Sequence, residues 1–366
     1  MDKRWKYTTL PVLVLLTAYL PATGAEPFSG VYVHLNEFGD GSTGVEVREA
    51  RMDEALDIMC ACGFTTVIPY ANTTSGKAFW PGTSLATVNA DGWDILGVFA
   101  RKARERSLKV MPALCLLASG HDAPAGILET HPDWALRDAS GAPLGWLSPA
   151  HPEARVWIVE LVKQLAAHIQ PDGIMFDYAR YPNQRDAQLD PVSTASLESP
   201  TTDEQAEVHL QRYKEEALSQ LMASIAGALR SEHPGLRIGL YTWGPHVPFD
   251  HPVAQCWPDW IQDGHLDLLN VSGYCYPKNY GDSYLDVFEN RLRDAGALAQ
   301  KAGNVTLTFA LGVRTSHGEI ANACEMEDYL AIARQRGYSG MAAFAWGSMQ
   351  HHAKEASARG YFRLSE

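Results

Sequence analysis

Eight short apolar runs, spread along the whole chain, constrain the fold more than any other feature of the sequence. Each run is rich in valine, isoleucine, leucine and aromatic residues, as strands buried on both faces of a parallel sheet are. The runs occupy residues 30–35, 65–72, 109–116, 173–178, 237–243, 266–276, 304–313 and 339–346. Their length and composition predict eight β-strands.

Each apolar run is followed by a stretch with helical periodicity. These stretches occupy residues 50–62, 92–106, 153–170, 203–232, 252–262, 283–301, 325–336 and 349–359. The alternation predicts βαβ units with a parallel sheet, and eight units favour closure into a barrel. No glycine-rich nucleotide loop follows a predicted strand, which argues against a Rossmann fold. We therefore expect an α/β fold, a single (β/α)8 TIM barrel in one domain over residues 26–366.

Two connections are longer than those usual in compact domains. One covers residues 118–152 after the third predicted strand, and the other covers residues 183–202 after the fourth. Both leave the carboxyl ends of strands, which is the side where barrel enzymes carry their sites. We expect these loops to form the walls of a cleft.

The N-terminal segment has the pattern of an export signal. Three basic residues within the first six positions precede an apolar stretch at 10–20 and small residues at 23–25. This pattern predicts a secretory signal peptide over residues 1–25, and hence a secreted or periplasmic protein without stable membrane insertion after cleavage. An uncleaved N-terminal anchor is the alternative.

Charge and ligand spacing exclude several kinds of partner. The formal net charge of −13 leaves no basic surface for nucleic acid, so we expect no nucleic-acid partner. The sequence has no CxxC pair and no HExxH motif, so nothing favours a zinc site. We expect neither a metal nor another cofactor.

Asp177 is the leading candidate for chemistry because it ends the fourth apolar run. Alternation places it on one face with Gly173 and Met175. A carboxylate at the carboxyl end of a barrel strand has the position of a nucleophile or a general acid or base. Arg180 is the nearest candidate partner for its charge. The alternative is a structural ion pair that ties the strand end to its loop.

A glycosidase usually needs two carboxylates beside the scissile bond. Glu37, at the end of the first predicted strand, is the best second acid by position. Three loop acids compete with it, namely Asp122, Asp250 and Asp282. The sequence therefore leaves the second acid open.

Aromatic and amide side chains cluster at predicted strand ends. Sugar rings stack on such aromatic faces, and amides and imidazoles hydrogen-bond their hydroxyls. Core packing is the alternative for each aromatic residue, and satisfaction of backbone groups is the alternative for the polar ones. The aromatic candidates are Tyr70, Trp80, Trp243, Tyr274, Tyr276 and Trp346, and the polar candidates are His34, Asn72 and Asn270.

Three motifs resemble one known family. His-Pro-Asp-Trp at 131–134, Leu-Ser-Pro-Ala-His-Pro-Glu-Ala-Arg at 147–155 and Asp-Gly-Ile-Met-Phe-Asp-Tyr-Ala-Arg-Tyr-Pro at 172–182 are similar to those of the family 10 glycosyl hydrolase-like (GHL10) proteins. The resemblance implies a (β/α)8 barrel that acts on glycans, including cell-envelope polysaccharide in some bacterial relatives. It places the family's strand-four aspartate at Asp177, and the tyrosine and arginine that follow it at Tyr178 and Arg180.

Two hypotheses follow for the function. In the first, the protein hydrolyses O-glycosidic bonds of a poly- or oligosaccharide, with Asp177 as nucleophile or base, Arg180 lowering its pKa, and Glu37 as proton donor. Carboxyl groups about 5 Å apart would indicate retention of configuration, and a gap of roughly 6.5–9.5 Å would indicate inversion. In the second, the barrel binds carbohydrate without turnover, because strands five to eight end without an acid.

Overall fold

The computed structural model describes residues 27–39, 42–89, 91–184, 186–197, 203–244 and 249–363. The proposed signal peptide, residues 1–25, lies outside the described residues. Eight parallel strands form the centre of the molecule. They are β1 (Phe28–Val33), β2 (Thr66–Pro69), β3 (Lys109–Val110 and Ala113–Cys115), β4 (Gly173–Asp177), β5 (Arg237–Thr242), β6 (Leu268–Ser272), β7 (Thr306–Gly312) and β8 (Gly340–Phe344).

The sheet closes on itself. Each strand pairs in parallel with its neighbour in sequence, and β8 pairs with β1. β3 is divided at Pro112, which has no N–H for the ladder. It still bonds to both neighbours, because Met111 N–H donates to Val67 O at 3.0 Å and Met175 N–H donates to Pro112 O at 2.9 Å. The predicted (β/α)8 barrel is confirmed.

One main helix follows each strand, as the sequence predicts. The helices are α1 (Val45–Cys62), α2 (Ile95–Glu105), α3 (Pro152–Ile169), α4 (Asp203–Glu232), α5 (Trp257–Gln262), α6 (Tyr284–Ala302), α7 (Ala323–Gln335) and α8 (Ala353–Arg359). α5 begins five residues later than predicted, since Ala254 has a left-handed φ of +54° that a right-handed helix cannot include. Among the described residues, no helix combines the length and apolar character needed to cross a membrane.

The long connection after β3 is folded rather than irregular. It contains a three-stranded antiparallel sheet made of Ala118–His121, Ala135–Arg137 and Pro143–Leu147. The connection after β4 contains a short helix, Pro191–Ser196. The two connections are joined by the hydroxyl of Ser148, which donates to Asp190 Oδ2 at 2.6 Å. The two connections are therefore attached to each other, but none of their described residues lines the cleft at the barrel mouth, so they are not the cleft walls that the sequence predicts.

The pleat of the strands divides the core into two layers. Phe28, Ile68, Met111, Met175 and Leu268 pack inside the barrel. Their sequence neighbours point outward and pack against the ring of helices. Because side chains alternate strictly along a strand, a residue that ends a strand on the inner face must lie at the barrel mouth.

Closure of the barrel depends on the missing side chain of Gly340, the first residue of β8. A Cβ atom there would lie 1.7 Å from the carbonyl oxygen of Phe28, its partner in β1. We expect Gly340→Ala to lower the free energy of unfolding by about 3 kcal/mol, because backbone must move to make room. Urea unfolding followed by circular dichroism measures this change.

Gly227→Ala in α4 is the matched control, since a Cβ there meets nothing within 4 Å. It should raise the free energy of unfolding by about 0.5–1 kcal/mol through helix propensity. Equal unfolding midpoints for the two variants would contradict the role of Gly340.

Candidate active site

A cleft of about 730 Å³ opens at the carboxyl ends of the barrel strands. Its lining includes residues at or beyond the ends of all eight strands. Eight residues predicted from the sequence line it, namely His34, Tyr70, Asn72, Asp177, Tyr178, Arg180, Trp243 and Tyr274. The barrel thus assembles side chains from both halves of the chain.

Asp177 reaches the cleft because it is the last residue of β4 on the inner face. Met175, two residues earlier, packs inside the barrel, whereas Phe176 packs against the helices. The Tyr70 hydroxyl donates to Asp177 Oδ2 at 2.7 Å, and the Tyr178 backbone N–H donates to Oδ1 at 2.7 Å. One carboxyl oxygen is therefore held by the adjacent backbone, and the other is held by the residue directly after β2.

The surroundings of Asp177 shift its proton affinity. Burial raises the pKa of Asp177, and the two donors together with the positive charge of Arg180 offset part of that rise. A carboxyl group with a raised pKa in a cleft is suited to exchanging a proton with a bound substrate.

Tyr178 turns the chain sharply after β4. Its φ of +51° lies in the left-handed region, which costs a non-glycine residue about 1–3 kcal/mol. The turn directs the Tyr178 N–H back onto the Asp177 carboxylate. The centre of the Tyr178 ring lies 5.3 Å from that of His121 and 5.8 Å from that of Trp146. The residue with the strained backbone, Tyr178, is therefore the one whose N–H holds the Asp177 carboxylate.

Arg180 does not make the ion pair with Asp177 that the sequence suggests. Within the described part of the chain its guanidinium has no carboxylate partner, and Nη1 donates to the backbone oxygen of Tyr181 at 3.1 Å. Aromatic rings hold the cation instead, because it lies 5.1, 5.2 and 5.9 Å from the ring centres of Trp146, Tyr178 and Trp243. Its charge acts on Asp177 through space only.

Aromatic rings form the floor of the cleft. His34 and Tyr70 stack face to face, with ring centres 4.8 Å apart. Tyr32 stacks on Tyr70 at 5.8 Å, and Phe344 lies 5.5–5.8 Å from three of the neighbouring rings. We call this group, His34, Tyr32, Tyr70, Tyr274 and Phe344, the aromatic floor. Tyr32 and Tyr70 are buried, whereas the partly exposed rings of His34, Tyr274 and Phe344 are of the kind on which sugars stack.

Burial also fixes the protonation of the aromatic floor. It raises the pKa of Tyr32, Tyr70 and Tyr274 well above the ordinary value, so their hydroxyl groups remain protonated at neutral pH. It lowers the pKa of His34, whose ring is therefore neutral under the same conditions. The floor is polar at its hydroxyl groups but uncharged.

Three aromatic residues at the site, Tyr32, Tyr241 and Phe344, were not predicted from the sequence. Tyr241 and Phe344 line the cleft, and Tyr32 lies beneath it in contact with Tyr70. Tyr32 is two residues before His34, and Tyr241 is two residues before Trp243. The period of two in a strand was therefore the signal that could have identified both.

Tyr276 and Trp346 were predicted to bind substrate, but both are buried away from the cleft, at 2% exposure each. β6 ends at Ser272, so Tyr276 no longer follows its alternation, and its hydroxyl donates to Gly312 O at 3.0 Å. Trp346 begins a short helix directly after β8, which turns its ring into the core. Both side chains serve packing.

Asn72 lines the cleft, but its amide is occupied. Nδ2 donates to Cys115 O at 3.0 Å, and Oδ1 accepts from Cys115 N–H at 2.8 Å. These two bonds join the ends of β2 and β3, so Asn72 satisfies strand-end backbone groups.

Glu37 lies outside the cleft lining, in a short 3-10 helix after β1. Burial raises its pKa to about 7, partly offset by the backbone N–H of Gly347. Asp122, Asp250 and Asp282 also fall outside the lining, so among the described residues Asp177 is its one carboxylate. The described residues contain no group of three or more His, Cys, Asp or Glu placed to hold a metal.

Arg291 of α6 also lines the cleft, together with Tyr280, which follows β6. It donates to the hydroxyl of Tyr280, and its guanidinium lies 5.3 Å from that ring centre. Thr315, Ser316 and His317, in the hairpin that follows β7, also line the cleft. An arginine within an amphipathic helix gives no sequence signal that separates it from an ordinary surface residue.

Several solved glycosidase structures are similar in fold to this chain. The PgaB (BpsB) glycoside hydrolase domain from Bordetella bronchiseptica is 18% identical, with a TM-score of 0.66 over 93% of this chain and 100% of that one. α-L-Fucosidase isoenzyme 2 from Paenibacillus thiaminolyticus is 15% identical, with a TM-score of 0.64 over 92% of this chain and 49% of that one. A GH18 chitinase from Pseudoalteromonas aurantia is 12% identical, with a TM-score of 0.52 over 90% and 98%.

Sequence comparison is more specific than these structural similarities, which establish the fold alone. No curated protein matches the chain. A model of the glycosyl hydrolase-like 10 family matches residues 41–294, which include β2 to β6 and the candidate carboxylate. The chain belongs to the glycosyl hydrolase-like 10 family.

Proposed function

We propose that this protein hydrolyses O-glycosidic bonds in an oligo- or polysaccharide, with Asp177 as the reacting carboxyl group. One observation carries the proposal. Asp177 is the last residue of β4 and points to the inner face of the sheet at the mouth of a (β/α)8 barrel. It lies directly beside the aromatic floor. A carboxyl group with a raised pKa beside stacking surfaces combines proton transfer with sugar binding.

The wider context supports a glycan substrate. The cleft volume lies within the range of about 300–1,000 Å³ usual for ligand sites. The structural neighbours are described as a glycoside hydrolase domain, a fucosidase and a chitinase. The basic and apolar N-terminal segment favours export, so we propose that the substrate is a glycan outside the cytoplasm, such as a cell-envelope polysaccharide.

Two roles are assigned within this proposal. Asp177 acts as nucleophile or base, which requires its ionised form. Glu37 remains the candidate proton donor because its pKa of about 7 suits a general acid at neutral pH. Because both acids must act on one glycosidic bond, this role requires the Glu37 carboxyl group, which lies outside the described cleft lining, to come within about 10 Å of Asp177 when substrate is bound.

Asp177→Asn should lower glycan hydrolysis by about 10²–10⁴-fold while the protein remains folded, because an amide neither attacks carbon nor accepts a proton. Reducing-end release from a panel of neutral, acidic and amino-sugar glycans measures the loss. Asp263→Asn, an exposed acid at the end of α5, is the matched control and should keep full activity. If the folded Asp177→Asn variant hydrolyses glycans as fast as the wild type, Asp177 is not the reacting carboxyl group.

Tyr70→Phe should move the acidic limb of the pH–rate profile upward by about one to two units. The lost hydrogen bond favours ionised Asp177 and is worth about 1.5–3 kcal/mol, at 1.36 kcal/mol per pKa unit. Without it the pKa of Asp177 rises further, so activity disappears at a higher pH as the solution is acidified.

Tyr241→Phe is the control for this shift, because its hydroxyl donates to Ser272 Oγ at 3.1 Å rather than to Asp177. Its acidic limb should stay close to that of the wild type. An acidic limb that does not move in Tyr70→Phe argues against an ionised Asp177 in the reaction.

Glu37→Gln should remove the alkaline limb of the same profile. A proton donor must be protonated, so wild-type activity should fall as pH rises through about 7. The variant should retain more activity on aryl glycosides, whose leaving groups need no proton, than on natural glycans. Exposed Glu46→Gln in α1 is the control. A wild-type alkaline limb preserved in Glu37→Gln rejects this donor.

The single carboxylate of the described cleft lining favours a second candidate, a barrel that binds glycans without turnover. Isothermal titration separates the two functions. Glycan binding without hydrolysis, and with equal affinity in Asp177→Asn, supports the binding protein over the hydrolase.

A further inference from the structure

The charge inside the cleft is opposite to the charge of the chain. The protein carries a formal net charge of −13. Yet the described cleft lining contains two guanidinium groups, Arg180 and Arg291, and one carboxylate, Asp177. An acidic protein that concentrates arginines in its cleft has a local field suited to an anion.

Arg180 is held so that it remains available to a ligand. In the described structure no acid pairs with it, and one backbone oxygen accepts from Nη1. The rings of Trp146, Tyr178 and Trp243 stabilise its charge through their faces. An arginine fixed by aromatic rings keeps N–H groups free to bind an oxyanion in a bidentate manner.

Arg291, at a different part of the cleft lining, is also held by an aromatic residue. Its described contacts are with the hydroxyl and the ring of Tyr280. Glu289, two residues before it in α6, pairs with Arg336, and Glu319, in the hairpin that also lines the cleft, pairs with Arg314. The Arg291 charge therefore has no carboxylate partner among the described residues.

We propose that the cleft selects an acidic glycan, whose anionic substituents bind Arg180 beside the reacting carboxylate and Arg291 at a second position. This proposal rests on the proposed glycan-binding function and names the substrate class. A carboxylate on a uronic acid and a sulfate ester share the required chemistry, because both present oxyanions to a guanidinium. A cationic amino-sugar polymer meets like charges at both positions and is disfavoured.

The test is isothermal titration of the folded Asp177→Asn variant, so that binding is measured without turnover. The ligands are oligogalacturonides, the same oligosaccharides with their carboxyl groups reduced, sulfated carrageenan oligosaccharides and chitosan oligosaccharides. We expect one of the two anionic ligands to bind at least about tenfold more tightly than the neutral, carboxyl-reduced ligand, a difference that shrinks in high salt. Which anionic ligand binds better distinguishes carboxylate from sulfate.

Arg180→Gln and Arg291→Gln, each added to Asp177→Asn, should weaken binding of the anionic ligand at least about tenfold more than binding of the neutral one. Arg293→Gln is the matched control, because Arg293 lies in the same helix but is exposed and paired with Asp294. It should leave all affinities unchanged. Arg180→Lys should recover part of the affinity, since it keeps the charge and loses the planar fork.

The outcomes separate this proposal from the proposed hydrolase. Hydrolysis of neutral or chitosan substrates, with no preference for acidic ones, supports the hydrolase and overturns the acidic substrate class. Selective binding of acidic glycans that wild-type protein never cleaves supports the acidic ligand and overturns the hydrolase. The acidic substrate class is also overturned if neither anionic ligand binds, or if neither arginine substitution changes the affinity for the anionic ligand.

Discussion

Closure of the parallel sheet is the constraint on which the site depends. The pairing of β8 with β1 places the carboxyl ends of all eight strands on one rim. Residues as distant in sequence as His34 and Phe344 then meet, with ring centres 5.7 Å apart. Gly340 permits this pairing because its position faces the Phe28 carbonyl without space for a side chain. The site is thus a consequence of backbone geometry before it is a matter of side-chain chemistry.

The same geometry explains which parts of the molecule could be predicted. Eight apolar runs and eight helical stretches identify the barrel, because burial on both faces and a period of 3.6 leave clear traces in sequence. The alternation along 173–177 places Asp177 on the inner face, and the inner-face packing of Met175 agrees with this placement. Regular elements are predictable where one local rule determines the direction of a side chain.

Prediction fails where the chain leaves regular structure. Tyr276 and Trp346 follow the ends of β6 and β8, and the short segments after those ends turn both rings into the core. Arg180 lowers the pKa of Asp177 through space, as the sequence predicts, but three residues of separation cannot reveal the left-handed turn at Tyr178 or the absence of a direct ion pair. Arg291 was missed because its role depends on the packing of α6 against the cleft. Each case requires tertiary geometry that no local pattern encodes.

Separation of Asp177 from Arg180 gives the site its chemical character. In a direct ion pair, each group would neutralise the other. The free energy of removing both charges from water would about cancel the attraction between them. Instead, Tyr70 and a backbone N–H hold the carboxylate, while aromatic faces hold the cation. Each charge is supported by partners that do not cancel it. The carboxylate remains available for a reaction, and the guanidinium remains available for binding, within one cleft.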